Sequence, residues 1–292
     1  MKILITGAQG QVGSELVKTV DASNFDVLAA TRNELDITQS KIVETYIQLH
    51  KPDIVINAAA YTAVDKAEKE SVLAETINHH GTENLAISCA KHNIPLFHIS
   101  TDYIFDGSKS EPYLEDDNSL PLGVYGESKW LGEQAIRQHI QNFIILRVAW
   151  VFGTTGNNFV KTMLRLGKEK DEINVVADQY GGPSPANDIS QTLVSLAKRY
   201  QQDKKLPWGT YHYCGTPKTS WYEFATEIFK QANEMGLISK KIQVSPITTI
   251  QYPTPAKRPA NSMLNCSKLK DTFGIDMPDW RESLKQILVK LK

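Results

Sequence analysis

Residues 5–16 read "ITGAQGQVGSEL". An apolar, β-branched run, "KILIT" over residues 2–6, leads into this stretch. Gly7, Gly10 and Gly13 then follow at three-residue intervals, with Val12 and Leu16 at helical spacing after them. A strand that turns on glycine and re-enters as a helix opens a βαβ unit. Its glycines allow a tight turn and bring backbone N–H groups up to a pyrophosphate, and the helix N-terminus favours the anion. The spacing is GxxGxxG rather than GxGxxG, and a glycine triplet alone also serves ordinary turns. The strand before it and the helix after it make it a dinucleotide cradle, with Gly7, Gly10, Gln11, Val12 and Gly13 facing the cofactor.

Working outward, "FDVLAA", "DIVINAA", "PLFHIS" and "FIILRVA" are further strand candidates. They alternate with stretches of helical periodicity near 11–20, 37–50, 64–77, 80–92 and 126–140. Such alternation predicts an α/β fold, a Rossmann-type doubly wound parallel sheet. Beyond Trp150 the alternation loosens into "GTTGNN", "DQYGGPSP" and a proline-rich segment at "SPITTIQYPTPAKRPANS". We expect residues 1–150 to form the dinucleotide-binding domain and 151–292 a smaller C-terminal substrate-binding lobe, with a helix near 187–200 returning to the sheet.

A net charge of −1 over 292 residues offers no field of one sign for DNA or an anionic membrane. The reading is therefore no nucleic acid and no membrane partner. Cys89, Cys214 and Cys266 are odd in number, far apart in sequence and without a CxxC pair. That pattern argues against a disulfide framework or zinc site and for a reducing compartment. No signal-peptide h-region or bilayer-length apolar run is present, so the expected location is cytoplasmic.

Two local features bear on chemistry. The second strand runs into Thr31 and Arg32 with no acid at its tip, which favours the 2′-phosphate of NADP(H), with NAD(H) as a second cofactor. Asp36 is a candidate near the adenine, or a helix cap. At "VYGESKW", residues 124–130, Tyr125 and Lys129 stand four apart, just over one helical turn, so both side chains can point at one site. A phenol titrates too high for neutral-pH chemistry unless a neighbouring cation tunes it.

In order along the chain stand "TGAQGQVG", "NAAAYTAVDKAE", "HISTDYIFDG", "YGESKWLGE", "LRVAWVFG", "DQYGGPS", "TSWYEFA" and "KRPANSMLN". With these the sequence resembles the extended short-chain dehydrogenases and, within them, the dTDP-4-dehydrorhamnose reductase branch. The resemblance spans nearly the whole chain. It implies reduction of the 4-keto group of a dTDP-activated 6-deoxysugar by a nicotinamide cofactor. It further implies Tyr125 as proton donor to the carbonyl oxygen, Lys129 as its tuning cation, and Thr101 as the third member, donating to the developing alkoxide. Ser100 competes on chemistry alone but, one residue earlier on an extended strand, should face the other way.

By the same resemblance Ala58, Ala59, Ala60 and Asn78 lie near the cofactor. Tyr103, Trp150, Arg258 and Asn261 lie near the substrate, with Arg258 as a fork for the diphosphate. Trp150 is equally compatible with a core position. His79 and His80 break the family's usual pattern; as neighbours they should not share a helix face and are read as exposed or capping residues. Some members bind Mg2+ and form homodimers through acidic residues near the first helix; Glu15 is the weak candidate there, and one carboxylate is not a metal site. Two alternatives stay open: a reductase of another nucleotide-linked 4-keto sugar, and a noncatalytic NADP-binding regulatory subunit resembling that of methionine adenosyltransferase.

Overall fold

The computed structural model describes residues 1–292. Its centre is a six-stranded sheet of β1 (Lys2–Thr6), β2 (Asp26–Ala30), β3 (Ile54–Asn57), β4 (Leu96–Thr101), β5 (Phe143–Val148) and β6 (Gly209–Tyr213), in the order β6-β5-β4-β3-β1-β2. Every neighbouring pair is parallel. The helices are α1 (Gln11–Asp21), α2 (Ser40–His50), α3 (Gly81–His92), α4 (Val124–His139), α5 (Phe159–Glu169), α6 (Ala186–Asp203), α7 (Trp221–Glu234), α8 (Ser267–Phe273) and α9 (Trp280–Leu291).

Strand periodicity explains why the sheet is covered on both sides. Ile3 and Ile5 pack with Val12, Leu16 and Val20 of α1 and with Ile189 and Leu193 of α6. Leu4, between them, joins Val43 and Ile47 of α2, Leu85 and Cys89 of α3 and Ile136 of α4 on the opposite face. Each fully buried aliphatic side chain contributes about 1.5–3 kcal/mol. A strand with two apolar faces therefore fits only a buried parallel sheet.

The sixth strand and α6 come from beyond the expected boundary at residue 150. α6 lies on α1, with Thr19 Oγ1 and Ser190 Oγ 2.8 Å apart. A second core holds Phe152, Val160 and Met163 with Phe224, Ile228, Trp280 and Leu284. It is built from α5, α7, α9 and a two-stranded parallel sheet, Glu172–Val176 with Gln243–Ile247. α7 starts on a full capping box, in which Ser220 and Glu223 satisfy each other's backbone N–H groups.

Two sequence expectations change here, and the reading of the cysteines as free thiols holds. The helix expected over 64–77 is broken into Val64–Ala67, Ser71–Glu75 and a π turn, Thr76–His80, that runs into α3. On that turn the His79 and His80 rings stack, with centroids 4.4 Å apart, so adjacency did not separate them. Cys214 and Cys266, remote in sequence, approach to 3.7 Å between sulfurs and remain free thiols. The fold returns β6 to the sheet beside the segment entering α8, a pairing that spacing does not encode.

Candidate active site

The strand order reverses between β1 and β3, and a parallel sheet leaves a crevice at such a point, beyond the carboxyl ends of its strands. Gly7 turns there with φ +67°, and a Cβ on it would lie 2.6 Å from the Ala59 backbone. A Cβ on Gly13 would lie 2.1 Å from the Gly7 carbonyl oxygen, so these two glycines are required by close approach. α1 begins at Gln11 without a side-chain cap, which leaves its first N–H groups for an anion. These features fit a dinucleotide pyrophosphate.

Two cavities meet at this loop. One, of about 270 Å3, is lined by Gly7, Gly10, Arg32, Asp36, Ala58, Ala59 and Ala60 among others. Asp36 also accepts from Thr38 N and Oγ1, at 3.0 and 2.7 Å, and so braces the turn before α2 rather than capping the helix. Glu34, the acid nearest the β2 tip, accepts from Thr31 N at 2.8 Å and is not part of the wall. Arg32 is left as the charged group beside Asp36 in this cavity.

The second cavity, of about 490 Å3, shares Gly10, Ala58 and Ala60 with the first. It brings together Gln11, Val12, Thr101, Tyr103, Tyr125, Lys129 and Trp150, drawn from α1, β4, α4 and the chain after β5. Thr101 Oγ1 donates to Asp102 Oδ1 at 3.1 Å and accepts from Tyr103 N at 3.2 Å. Its hydroxyl also lowers the pKa of the neighbouring Tyr125 phenol. Ser100 pairs with Arg147 and Thr101 with Val148 across β4 and β5, and both residues contribute to the lining of this cavity. The Tyr103 and Tyr125 rings meet edge to face, with centroids 5.5 Å apart.

The electrostatics differ from the sequence expectation. Burial pushes the Tyr125 phenol up to about 12, the Thr101 hydroxyl pulls it down, and the Asp102 charge raises it; Lys129 is not among these influences. Lys129 Nζ instead donates to Ile99 O at 2.7 Å and lies 3.1 Å from His98 Nε2. Burial lowers its amine to about 8, against the opposing charge of Glu133. Burial also raises Glu133, but the charges of Arg147 and Arg137 reverse this and hold the carboxyl at about 2. The Tyr125 phenol is thus raised by burial and lowered by Thr101, and Lys129 is held against β4 by His98 and the Ile99 carbonyl.

Other expected site residues act at one remove. Asn78 is fully buried; its Oδ1 accepts from Tyr61 N at 2.8 Å, and its Nδ2 donates to Tyr61 O and Ser128 Oγ, both at 3.0 Å. The π turn thus ties the loop after β3 to α4, and Asn78 shapes the cavity without forming its wall. The Gln11 side-chain carbonyl is taken by Asn158 Nδ2 at 2.9 Å. Glu15 is buried, pairs with Lys18 at 2.8 Å and accepts from Thr154 at 3.3 Å. It joins no cluster of metal-ligating side chains; the one such group is Glu75, His79 and His80.

Arg258 is not on the cavity wall. Its Nη2 donates to Asp65 at 2.8 Å, and its Nη1 donates to Thr254 Oγ1 and Ala256 O. The fork expected for a diphosphate therefore ties its own segment to the turn after β3, and a ligand phosphate has to compete with Asp65. Asn261 likewise donates to the backbone carbonyls of Lys109 and Glu111, at 2.9 and 3.1 Å, and holds that loop.

Trp150 has φ +47°, a left-handed backbone that is strained for a tryptophan, and its indole stacks on Trp221 at 3.5 Å and 6°. Both indoles and Phe159 line the cavity, which makes the Trp150 ring a wall shared with the second core. Trp221, Phe159, Asp102 and His98 were not singled out from sequence. The "TSWYEFA" motif carries Trp221 and "HISTDYIFDG" carries His98 and Asp102; nothing local marks Phe159.

The sequence profile of a family described as "RmlD substrate binding domain" matches residues 1–292. A dTDP-4-dehydrorhamnose reductase of Aggregatibacter actinomycetemcomitans is 47% identical over 287 residues, covering 98% of each chain. Among solved structures, a dTDP-4-dehydrorhamnose reductase of Clostridium acetobutylicum superposes with a TM-score of 0.93 at 40% identity, covering 100% of this chain and 99% of the other. Another, from Bacillus anthracis and in complex with NADP, gives 0.92 at 38% identity, with 99% of each chain covered.

Proposed function

The chain belongs to the RmlD substrate binding domain family, and on that premise we propose that it reduces the 4-keto group of dTDP-4-dehydro-β-L-rhamnose to give dTDP-L-rhamnose, with NADPH as the hydride source. The observation that carries the reading is the convergence of Thr101, Tyr125 and Lys129 in one cavity that opens onto the glycine cradle. The nicotinamide cofactor, when bound, supplies the hydride. Relatives named as reductases over the full length do not favour the noncatalytic alternative.

The chain's own residues do the rest. Gly7, Gly10 and the start of α1 would hold the pyrophosphate, and Arg32 would meet a 2′-phosphate. Ala58, Ala59 and Ala60 present little bulk where the two cavities adjoin and would leave room there for a cofactor. Tyr125, protonated throughout the neutral range, is loaded to donate to the oxygen as negative charge develops on it, and Thr101 Oγ1 is the second hydroxyl at that oxygen. Trp150, braced by Trp221, supplies a flat wall for the sugar. Residues 1–150 with α6 and β6 serve the cofactor, and the remainder, with Trp221 and Phe159, serves the nucleotide sugar.

The test is direct. Purified protein is mixed with NADPH and dTDP-4-dehydro-β-L-rhamnose, and the nicotinamide absorbance is followed. Oxidation proportional to added sugar is expected; no sugar-dependent oxidation overturns the proposal.

A further inference from the structure

Beneath the cavity runs a buried chain of hydrogen bonds that the reaction scheme above does not use. Asn57 and His98 are fully buried, and Lys129 is 2% exposed. Asn57 Oδ1 accepts from the backbone N–H of Ala59 at 3.1 Å and from Thr6 Oγ1 at 2.7 Å. An amide N–H can only donate, so the Ala59 bond fixes which way the Asn57 side chain points. Its Nδ2 then faces His98 Nδ1 at 3.0 Å and, more distantly, Thr82 Oγ1 at 3.5 Å.

The consequence passes along the chain. With an amide NH2 directed at it, His98 Nδ1 must accept, so the neutral ring carries its proton on Nε2. A doubly protonated ring is disfavoured whatever the state of Lys129, since burial, the largest influence, pushes His98 well below its ordinary value. Nε2–H therefore points at Lys129 Nζ, 3.1 Å away, while Nζ donates to Ile99 O at 2.7 Å. An ammonium has three donors and no acceptor, and it would meet the ring N–H donor to donor. An uncharged amine has a lone pair to receive that N–H.

We infer that Asn57 and His98 form a tautomer relay that holds Lys129 uncharged while the Ala59 N–H is anchored, and that charging Lys129 requires the relay to reverse. Reversal moves the imidazole proton to Nδ1 and turns the Asn57 amide over, which takes Oδ1 away from Ala59. The proton on Lys129 and the backbone of the Ala58–Ala60 loop, which lines both cavities, are thereby coupled. His98 is a positioning residue and touches neither cavity's wall.

The titratable and charged groups packed round Lys129 agree with a balanced site. Glu133 on its own helix favours the cation, but that carboxylate is committed to Arg147 at 2.8 Å and Arg137 at 2.9 Å. Tyr125 is a neutral phenol, and Asp102 beyond β4 is bonded by Thr101. No bare carboxylate contacts Nζ, so the direction of the His98 proton decides between two states of similar energy.

The inference rests on the placement of Lys129 in the proposed active site, but its primary readout needs no turnover. Protein labelled with 15N-histidine is examined by long-range 1H–15N correlation near pH 9, about one unit above the value to which burial lowers Lys129. The His98 signals are assigned by their loss in His98→Gln. In the wild type the Nε2–H tautomer is expected as the major species; a majority of Nδ1–H overturns the relay. Asn57→Asp places an acceptor at both ends of residue 57, so it keeps Ala59 N–H and draws the imidazole proton to Nδ1. In that variant Nδ1–H should dominate at the same pH, and the alkaline limb of the kcat–pH profile should move up by roughly one unit or more, a tenfold gain in proton affinity. An unchanged tautomer in a folded Asn57→Asp protein refutes the coupling, whereas absence of turnover in the wild type refutes only the proposed reaction.

Discussion

Replacing Tyr125 by phenylalanine removes one oxygen from the site and leaves the ring in place. The edge-to-face contact with Tyr103 survives, and Thr101 keeps its bonds to Asp102 and to the Tyr103 N–H. The structural loss is one hydroxyl group, at most about 1 kcal/mol net, or roughly 2 °C in Tm for a chain of this size. The chemical loss is larger. Thr101 can hydrogen-bond the carbonyl oxygen only by giving up its bond to Asp102, and a threonine hydroxyl cannot replace the phenol as the acid, so kcat should fall by roughly 10²–10⁴-fold, about 3–5 kcal/mol of barrier. The cofactor cradle lies across the cavity, so NADPH affinity should stay within about twofold, read by quenching of intrinsic fluorescence. The assay is sugar-dependent NADPH oxidation under saturating substrate, with kcat and KM separated. Turnover within about threefold of wild type would refute the assignment of Tyr125 as the acid, and a parallel collapse of NADPH binding would show that the ring, not the hydroxyl, is what matters.

Arg32→Ala should weaken NADPH by tenfold or more and NADH by little, because only NADPH offers a 2′-phosphate to the guanidinium; equal losses in titrations of the two cofactors remove Arg32 from that role. Asp65→Asn, which frees the Arg258 fork, should tighten dTDP binding a few-fold by calorimetry, and Arg258→Ala should weaken it about tenfold; equal affinities in all three proteins leave Arg258 as a tie within the chain. Asp102 is buried, and burial raises its carboxyl to about 6 from 3.8, so its contribution to stability is present below the unfolded value and is lost as pH rises through about 6. Asp102→Asn should therefore raise Tm at pH 7.5, by an amount worth up to about 3 kcal/mol, and the gain should vanish below about pH 4; a gain independent of pH refutes the titration account.

The sequence alone was enough for the frame of this protein, because the frame is made of local, short-range physics. A β-branched run, glycines at close intervals and an amphipathic helix are contiguous in residues 2–20, and the steric demand on Gly13 comes from Gly7 within that stretch, although the demand on Gly7 comes from the Ala59 backbone after β3. Tyr125 and Lys129 were legible as a pair for the same reason, being one turn apart on one helix. What the tertiary structure decided is what each polar group meets. His98 and Asn57 look like ordinary strand residues, yet the register of β3 beside β4 puts their side chains 3.0 Å apart and fixes a tautomer. Arg258 reads as a free fork until the fold sets Asp65 opposite it, 193 positions away in sequence. Trp221 becomes a wall of the site only because the strained turn at Trp150 lays one indole on the other. Periodicity reports how a segment sits against water, whereas proton positions and ion partners depend on contacts between segments that no local pattern records.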